Sequence, residues 1–318
     1  MTDLLTLTLN PALDLSSAGD AIVPGPKLRL DPPLAEPGGG GLNVARAAKA
    51  LGGQVRALAV LGGATGAQVA ALMAAAGVPV VAFPARGETR QSLAVTDRAT
   101  GGMYRMQFPG PAWDAAQTGP LLDAVVAEAA ALAPGGLVVL SGSQPPGLEA
   151  AFPQTLSARL GPARRLLIDT SGAPLEHLLR APATPPDILR MDQAESEALS
   201  GRPLPGLSDS LALAGDWVAA GVARMVVLAR GAEGSVLAGP GGLRLHCRPP
   251  LVPVVSKVGA GDSFVGAFAL AQARGASPGE ALVQGTAAAA AAVMTPGSAL
   301  CRPGDVRRLA ADCVLTAA

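Results

Sequence analysis

Apolar and polar positions along the chain follow two periods that alternate from the first residues onward. Val55 to Leu61 is a largely continuous apolar run, as is typical of strands buried on both faces of a sheet. Between such runs lie segments in which small and apolar residues recur at helical spacing. Because these strand and helix units repeat, the pattern predicts a mostly parallel sheet covered by helices on both faces.

The elements predicted from this pattern have defined limits. Strands are expected at 4–9, 55–61, 137–140, 166–169, 187–191 and 225–229, and helices at 42–51, 65–76, 115–131, 148–160, 192–199, 208–220 and from 278 to the stop at 295–297. Capping boxes, in which a hydroxyl residue and a Glu or Gln three residues later satisfy backbone N–H groups, are predicted at Thr65 with Gln68 and at Ser277 with Glu280.

Two segments interrupt the alternation. Residues 15–35 are rich in Pro, Gly and charge, and Lys27 to Leu30 alternate as an edge strand would. Between Arg90 and Phe108, two alternating runs flank the glycine turn at 100–102, which predicts a β-hairpin. We therefore expect a small sheet outside the main one, at about 14–35 and 86–109, within a single domain that spans all 318 residues.

Composition narrows the class of function. The chain has 24 Lys and Arg against 24 Asp and Glu, so it lacks the basic balance of nucleic-acid-binding proteins. No apolar run reaches membrane-spanning length, and the start of the chain does not resemble a signal peptide. Cys247, Cys301 and Cys313 are widely spaced, and His177 and His246 have no partner at ligand spacing, so neither a disulfide framework nor a zinc site is indicated. We expect a cytoplasmic protein that binds small molecules and neither nucleic acid nor membrane.

The most informative stretch runs from Val254 to Gly275, where the pattern predicts a strand, a tight glycine turn and a helix. Free backbone N–H groups at the start of that helix would hold an anion. Asp262 lies in the turn, where a carboxylate suits a base that deprotonates a hydroxyl attacking a phosphoryl group, and the helix N-terminus is expected to keep it ionised. The alternative, which this motif alone leaves open, is that Asp262 only caps the helix.

A second glycine-rich loop, Gly38 to Gly41, also leads into a predicted helix. This loop, the hairpin, the loop from Arg230 to Gly234 and the turn before Asp262 each open where a strand is predicted to end, the edge at which open α/β sheets bind ligands. A dinucleotide-dependent dehydrogenase is disfavoured, because four successive glycines lack the GxGxxG spacing.

In their order along the chain these motifs resemble the ribokinase-like (PfkB-family) carbohydrate kinases, and within that family its 6-phosphofructokinases. The matching runs, which cover essentially the full length, are TLTLNPALD, KLR at 27–29, EPGGGGLNVARA, GGATG, TRQSLAV, YRMQFPGPA, LSGSQPPG and VGAGDS. The resemblance implies a ribokinase-like three-layer α/β/α sandwich with a mostly parallel central sheet and a small β-sheet lid. It also implies ATP-dependent phosphorylation of a sugar phosphate, with a homodimer formed through the lid.

The resemblance assigns roles to individual positions. It implies that Asp262 is the catalytic base and that Gly259, Ala260 and Gly261 form its anion hole. Sugar-phosphate positions fall on Asp14, Lys27, Gly39, Asn43, Arg90, Arg105 and Ser141, nucleotide positions on Asp192, Arg230, Gly231, Gly234 and Lys257, and a metal position on Glu195. ATP and Mg²⁺ are the expected cofactors, with K⁺ as a further candidate. The cations of the predicted lid suit a sugar phosphate, although a solvated charged sheet edge is the alternative.

Three departures from the family pattern bear on the nucleotide and metal. Arg190-Met191-Asp192 stands where Lys-Pro-Asn is usual, Lys257 replaces a Thr or similar residue, and Ala229-Arg230 replaces a hydroxyl residue and its neighbour. An extra carboxylate at Asp192 could still bind Mg²⁺. The departures motivate one alternative of another class, a regulator that binds nucleotide or sugar phosphate without catalysis.

The glycine loop also predicts the substrate. The related 1-phosphofructokinases usually carry Lys where this chain has Gly40. We therefore expect phosphorylation of fructose 6-phosphate at O1 to give fructose 1,6-bisphosphate, with 1-phosphofructokinase or tagatose-6-phosphate kinase activity as the alternatives.

Overall fold

The buried apolar runs assemble into one large sheet. The computed structural model describes residues 1–297 and 299–317, and within them the sheet has ten strands. In spatial order these are β14 (Val314–Ala317), β13 (Arg244–Arg248), β12 (Ser235–Ala238), β11 (Met225–Ala229), β10 (Ile188–Met191), β9 (Arg165–Asp169), β8 (Leu132–Ser141), β1 (Thr2–Thr8), β4 (Val55–Leu61) and β5 (Val80–Pro84). The strands from β11 to β5 are parallel to their neighbours, whereas β12, β13 and β14 pair antiparallel.

Helices cover both faces of this sheet and bury its two sets of side chains. They are α1 (Gly40–Ala50), α2 (Gly63–Ala75), α3 (Thr118–Ala129), α4 (Phe152–Leu160), α5 (Ala173–Arg180), α6 (Gln193–Ser200), α7 (Leu207–Ala219), α8 (Ala260–Ala273), α9 (Pro278–Val293) and α10 (Pro303–Asp312). Along β8, Val138 packs into the cluster on one face and Val139 into the cluster on the other. This alternation makes the molecule a three-layer α/β/α sandwich and confirms the predicted fold class.

A second, four-stranded sheet lies apart from the main one. Its order is β3 (Leu34–Gly38), β2 (Ala12–Gly19), β6 (Arg90–Asp97) and β7 (Met103–Gln107), with β2 and β6 parallel and the outer pairs antiparallel. The hairpin predicted around residues 100–102 is therefore present. We call this element the small sheet.

Close packing of α1 against α8 places the two glycine-rich motifs side by side. A Cβ added at Gly266 of α8 would lie 2.9 Å from the backbone oxygen of Val44 in α1 and 3.0 Å from the Cβ of Ala47. Glycine at this position and alanine across from it therefore let the two helix backbones approach closely. The contact brings the first turns of both helices, with Asn43 and Asp262, to one edge of the sheet.

Three local predictions were wrong. Residues 20–33 contain no strand, because Pro24, Pro26, Pro32 and Pro33 lack the N–H groups that a strand would donate. No strand precedes the turn at Gly259 either, since residues 249–258 form an irregular and largely exposed segment.

The predicted capping box at Thr65 and Gln68 is also absent. Helix α2 begins two residues earlier, with Gly62 at its N-cap. The Glu88 carboxylate accepts hydrogen bonds from the backbone N–H groups of Ala64 and Thr65, and these bonds hold the pKa of Glu88 below its usual value. An acid distant in sequence thus performs the capping that the local motif predicts.

The second capping box is confirmed, because Ser277 and Glu280 bond reciprocally at the start of α9. The sequence pattern missed α5, α10, the edge strand β5 and the antiparallel strands β12 to β14. None of the helices in residues 1–297 and 299–317 combines the length and the hydropathy needed to cross a bilayer.

Candidate active site

Asp262 lies in the first turn of α8 but does not cap it. The N-cap is Gly259, whose φ of 79° and ψ of −3° belong to the left-handed region that favours glycine. The Asp262 carboxylate instead accepts a hydrogen bond of 3.0 Å from Nδ2 of Asn43 in α1. A contact between two helices, rather than a local capping bond, therefore holds this side chain.

The pKa of Asp262 is shifted in the direction opposite to the one that a helix N-terminus alone would produce. Burial raises its pKa to about 6, and the negative charges of Asp169 and Asp14 act in the same direction. The bond from Asn43 and the positive charge of Arg190 lower the pKa without cancelling this effect. A carboxylate with such a pKa is ionised near neutrality and can still accept a proton readily, as a general base must.

The turn before Asp262 has the form of an anion hole. Ala260 and Gly261 open α8, where backbone N–H groups have no partner within the helix, and the positive end of the helix dipole adds to their attraction. A Cβ added at Gly261 would lie 3.3 Å from both terminal nitrogens of Arg190. The turn is therefore backed by a guanidinium group.

Arg190 is the functional candidate that the motifs did not single out. It lies in β10, one residue before the end of the strand, and pairs with Asp169 of β9 at 3.1 Å, both side chains being 13% exposed. Its Nε is buried without a hydrogen-bond partner among the described residues. The sequence does contain a signal for Arg190, because this residue occupies the position of the Lys in the family's Lys-Pro-Asn. The direction of its side chain, however, depends on the neighbouring strand.

A cavity of about 400 Å³ opens in front of Asp262. Its walls come from the small sheet, from both glycine-rich motifs and from the segment before α8. The lining residues are Asp14, Gly39, Asn43, Arg90, Ser92, Arg105, Gln107, Lys257, Val258, Gly259 and Asp262. It thus brings together eight of the residues singled out in the sequence, among them three cations and two carboxylates.

The small sheet positions Asp14 and Arg90 in this cavity. Ala12 of β2 pairs with Arg90 of β6, and Asp14 pairs with Ser92, whose hydroxyl donates a short hydrogen bond to the Asp14 carboxylate. A Cβ at Gly38 would collide with that carboxylate, so the neighbouring strand needs glycine there. Burial lowers the pKa of Arg90, an effect that the charge of Asp14 opposes.

Two residues that were expected to contact the sugar phosphate lie outside this cavity. Lys27 is exposed in the irregular segment 20–33. Ser141 is buried, and its hydroxyl donates to Asp169 at 3.1 Å. Its Oγ also lies 2.4 Å from where a Cβ of Gly40 would be, so Ser141 packs against the glycine loop.

Arg230 was expected to contact the nucleotide, but its side chain is only 2% exposed and bonds to protein. Its guanidinium donates to the backbone oxygens of Leu204 and Pro205, to the Ser210 hydroxyl and to the Glu233 carboxylate. Because a buried guanidinium with these partners has few donors left, Arg230 holds the loop in place rather than presenting a free charge.

The two glycines of the same loop have positive φ, 57° at Gly231 and 92° at Gly234. A Cβ at Gly234 would collide with the backbone oxygen of Cys247 on β13. The backbone of the loop therefore favours glycine at both positions. The loop is anchored on one side by Arg230 and on the other by β13.

Asp192 and Glu195 form a reciprocal capping box at the start of α6. The Asp192 carboxylate accepts from the Glu195 N–H at 2.8 Å, and the Glu195 carboxylate accepts from the Asp192 N–H at 2.9 Å. Burial raises the pKa of Glu195, and the charges of Asp192 and Asp169 add to this effect. Part of the acceptor capacity of both carboxylates is therefore used within the protein.

A half-buried carboxylate beside a helix N-terminus, in a cationic cavity of an α/β/α sandwich, suits phosphoryl transfer to a small hydroxyl compound. The chain belongs to the pfkB family of carbohydrate kinases, which matches residues 17–304. The protein is accordingly an enzyme of the carbohydrate kinase class, as its motifs predicted.

Similar proteins of known name agree with this assignment. The chain is 37% identical to the ATP-dependent 6-phosphofructokinase isozyme 2 of Mycobacterium tuberculosis, over 96% of this chain and 88% of that protein. It is 36% identical to the isozyme 2 enzyme of Escherichia coli, over 97% and 98% of the two chains. A 1-phosphofructokinase of Xanthomonas campestris is 33% identical, over 99% and 96%.

Solved structures are similar over almost the whole chain. Phosphofructokinase-2 of Escherichia coli in complex with potassium has a TM-score of 0.90 at 36% identity, with 98% of this chain and 99% of that chain covered. The same enzyme in complex with fructose-6-phosphate has a TM-score of 0.87 at 36% identity, with the same coverage. Its tetrameric inhibited form has a TM-score of 0.88 at 35% identity, again with 98% and 99% covered.

Proposed function

We propose that the protein is an ATP-dependent 6-phosphofructokinase, which transfers the γ-phosphoryl group of ATP to O1 of fructose 6-phosphate and gives fructose 1,6-bisphosphate. The observation that carries this proposal is a single cavity lined by the Asp262 carboxylate together with three cations, Arg90, Arg105 and Lys257. A sugar phosphate needs a base at its reacting hydroxyl and cations at its phosphate, and this cavity offers both.

In the proposed reaction, Asp262 accepts the proton of the sugar hydroxyl as its oxygen attacks the γ-phosphorus. The N–H groups at the start of α8, together with Arg190 behind Gly261, stabilise the charge on the phosphoryl oxygens. Asp14, whose carboxylate lines the same cavity, is placed to accept hydrogen bonds from other sugar hydroxyls. Arg90 and Arg105 of the small sheet bind the phosphate that the sugar already carries.

Mg²⁺ fits this donor set as an ion held mainly through water and nucleotide phosphates. Within the described residues, no group of three or more His, Cys, Asp or Glu could hold a metal by itself. Mg²⁺ commonly binds through one or two carboxylates and substrate phosphates, and Glu195 and Asp192 supply carboxylate oxygens of that kind. When bound, the ion would neutralise charge on the transferring phosphate. K⁺ remains a candidate activator, in line with the similar structure that contains potassium.

Gly40 supports fructose 6-phosphate over fructose 1-phosphate. A side chain at this position would meet Ser141 Oγ at 2.4 Å and the backbone nitrogen of Gly142 at 2.7 Å. The loop therefore has no room for the lysine that the 1-phosphofructokinases usually carry. Tagatose 6-phosphate differs from fructose 6-phosphate at one hydroxyl and is the closest competing substrate.

We further infer that residues 14–35 and 86–109 act as a lid within one domain, and that two copies pair through it. The small sheet supplies Asp14, Arg90 and Arg105 to the cavity, so movement of the sheet would open or shut the site. Exposed large apolar side chains support the pairing, since the sheet and its neighbouring loop carry Leu28, Leu30, Leu34, Met103, Tyr104, Met106 and Phe108.

A coupled assay of ADP release across fructose 6-phosphate, fructose 1-phosphate and tagatose 6-phosphate tests the proposal. We expect the highest kcat/KM with fructose 6-phosphate, and activity that is lost in excess chelator and restored by Mg²⁺. A higher kcat/KM with fructose 1-phosphate would overturn the substrate assignment. If no ATP is consumed with any of the three sugar phosphates although binding of a sugar phosphate is measurable, the non-catalytic regulator is favoured instead.

A further inference from the structure

A continuous series of side-chain contacts links the small sheet to Asp262. Glu36 of β3 pairs with Nη2 of Arg46 at 3.2 Å. Nη1 of Arg46 donates to Oδ1 of Asn43 at 3.3 Å, and Nδ2 of Asn43 donates to Oδ2 of Asp262 at 3.0 Å. The series crosses three elements, β3, α1 and α8, and ends on the carboxylate that serves as base in the proposed function.

The middle of this series fixes the orientation of an amide. The side chain of Asn43 has one end that only accepts and one end that only donates. Arg46 can only donate and the ionised Asp262 can only accept, so the two neighbours satisfy Asn43 in a single orientation. A half-turn of the amide would face Oδ1 toward the carboxylate and Nδ2 toward the guanidinium, and both contacts would become repulsive.

Arg46 itself is held in place from two sides. It lies three residues after Asn43 on the same face of α1. Its Nη1 also donates to the backbone oxygen of Pro37 at 3.4 Å, next to the ion pair with Glu36, and the side chains of Arg46 and Glu36 are 18% and 17% exposed. Arg46 does not line the cavity in front of Asp262, so any effect on the reaction passes through Asn43.

We propose that Arg46, anchored by Glu36 of the small sheet, is a positioning residue for the phosphoryl transfer: it holds the amide of Asn43 so that Nδ2 faces the base. The proposal rests on the proposed function, in which Asp262 deprotonates the sugar. It assigns a task to Glu36 and Arg46, two residues of the glycine-loop motif that do not line the cavity in front of Asp262.

Other charged groups around Asp262 also influence its pKa or line the same cavity. Asp169 of β9 and Asp14 of β2 raise its pKa, and Arg190 of β10 lowers it. Lys257, Arg90 and Arg105 line the same cavity. Replacing Arg46 leaves all six in place but removes the guanidinium that pairs with Glu36 and orients Asn43, so both the charge of Arg46 and the hydrogen bond from Asn43 change. Because that bond favours the ionised form, its loss raises the pKa of Asp262.

The test compares pH profiles of kcat/KM for Arg46→Met, Arg46→Lys and wild type. If the pKa of Asp262 rises by about one unit from about 6, Arg46→Met loses about fivefold at pH 6 and almost nothing at pH 8.5. Lysine can still donate to Oδ1, so Arg46→Lys should recover at least half of the shift. Arg308→Met is the control, because Arg308 also has a partner three residues away, Asp305, but lies on the surface in α10.

A second measurement does not depend on the substrate. The ¹³Cγ resonance of Asp262, identified by its absence in Asp262→Asn, gives the pKa of the base directly in uniformly Asp-labelled protein. We expect a higher midpoint in Arg46→Met and an unchanged one in Arg308→Met. If fructose 6-phosphate proves not to be the substrate, this titration still stands, so failure of the proposed function is distinguished from failure of the positioning role.

Two outcomes would overturn the proposal. One is an Arg46→Met protein whose kcat/KM falls equally at all pH values, as a general structural defect would produce. The other is an unshifted Asp262 titration. If Arg46→Met does not fold, Glu36→Gln takes its place: it keeps Arg46 and weakens its anchor, so a smaller shift in the same direction supports the role and an unshifted profile contradicts it.

Discussion

At the scale of single residues, Asp262 is costly for the fold that contains it. The pKa of Asp262 is about 6, whereas the ordinary value is 3.8, so the folded protein binds a proton more readily than the unfolded chain between these values. Stability contributed by protonated Asp262 is therefore lost as pH rises through this window. At neutral pH the enzyme keeps an ionised, partly desolvated carboxylate that weakens the fold, as a catalytic base requires.

Asp262→Asn should separate catalysis from stability. The amide keeps the shape of the side chain but cannot take a proton, so kcat should fall by about 10² to 10⁴ with KM values little changed. The free energy of unfolding at pH 7.5 should rise by roughly 1 to 3 kcal/mol, because the buried charge is removed. Steady-state kinetics and urea unfolding measure the two effects.

The matched control is Asp305→Asn, at the same position in the first turn of α10. It should leave kcat unchanged and should not stabilise the protein. A near-normal kcat in Asp262→Asn would end the catalytic assignment.

The pH dependence of the wild-type enzyme should report the titration of Asp262. The kcat/KM for the sugar phosphate should fall as pH decreases through about 6, because protonated Asp262 cannot act as base, and should be level above about pH 7. Profiles measured at constant ionic strength give this midpoint. A midpoint near 4 would mean that the carboxylate is solvated during turnover, contrary to the burial described above.

Site residues were predictable where a motif fixes both the residue and its direction. Asp14 ends the run TLTLNPALD, Asn43 lies two residues after Gly41 and Asp262 directly follows Gly261, and the structure brings all three to one cavity. Lys27 and Ser141 matched motifs equally well, and Arg230 stood at a departure from its motif, but the side chains of all three are exposed or bonded to protein, which depends on neighbours distant in sequence. The importance of Arg190 depends on the Asp169 of an adjacent strand, which no local pattern specifies.

At the scale of elements, the capping box of α6 allows the metal role of Glu195 to be isolated. Glutamine can accept the same hydrogen bond from the Asp192 N–H, so Glu195→Gln should keep the melting temperature of the wild type. It should raise the Mg²⁺ concentration for half-maximal rate several-fold, because a charged oxygen is lost. Thermal melts and Mg²⁺ titrations of activity measure the two effects.

Glu280→Gln is the matched control, since Glu280 completes the equivalent box of α9. Its Mg²⁺ requirement should equal that of the wild type. Should Glu195→Gln also match the wild type, Glu195 would be a capping residue only.

The first residue of β6 tests the binding role of the small sheet. Arg90→Ala should raise the KM for the sugar phosphate by about 10-fold to 150-fold and leave the KM for ATP nearly unchanged, since a charge-assisted hydrogen bond contributes roughly 1.5 to 3 kcal/mol. Arg86→Ala provides the comparison, because Arg86 lies nearby, pairs with Asp114 and is outside the cavity. Equal KM values for the two variants would remove Arg90 from the site.

Helices and strands were predictable where the hydrophobic periodicity and the capping residues indicate the same limits. The strand at 55–61 and the capped helix beginning at 278 appear with the expected limits. The predictions at 27–30 and 254–258 were wrong because alternating side chains do not make a strand without a neighbour to bond with, and both segments contain or follow prolines. The start of α2 was misplaced because its cap comes from Glu88, outside the helix.

At the scale of the whole molecule, pairing through the small sheet predicts a dimer in solution. Sedimentation equilibrium should give a mass twice that of the 31.4-kDa chain. Leu34→Glu combined with Tyr104→Glu should dissociate it, because Leu34 and Tyr104 are 61% and 47% exposed on the outer strands β3 and β7. Val126→Glu, an exposed apolar site on α3, is the control and should stay dimeric. A wild-type monomer at micromolar concentration would refute pairing.

The layered architecture was predictable as a whole, because alternating strands and helices leave few arrangements in which both faces of a sheet are covered. The antiparallel edge of β12, β13 and β14 was not, since these short strands carry few residues and weak periodicity. Their place in the sheet is set by the pairing of β12 with β11, a tertiary contact that local periodicity does not encode.

The contact between Gly40 and the loop at 141–142 limits how this enzyme could evolve toward another substrate. A lysine at position 40 would collide with a side-chain atom of Ser141 and also with the backbone nitrogen of Gly142. Trimming Ser141 to glycine removes only the first collision, so the second loop would have to move as well. A change of specificity along this route therefore requires coordinated changes in both loops rather than one substitution.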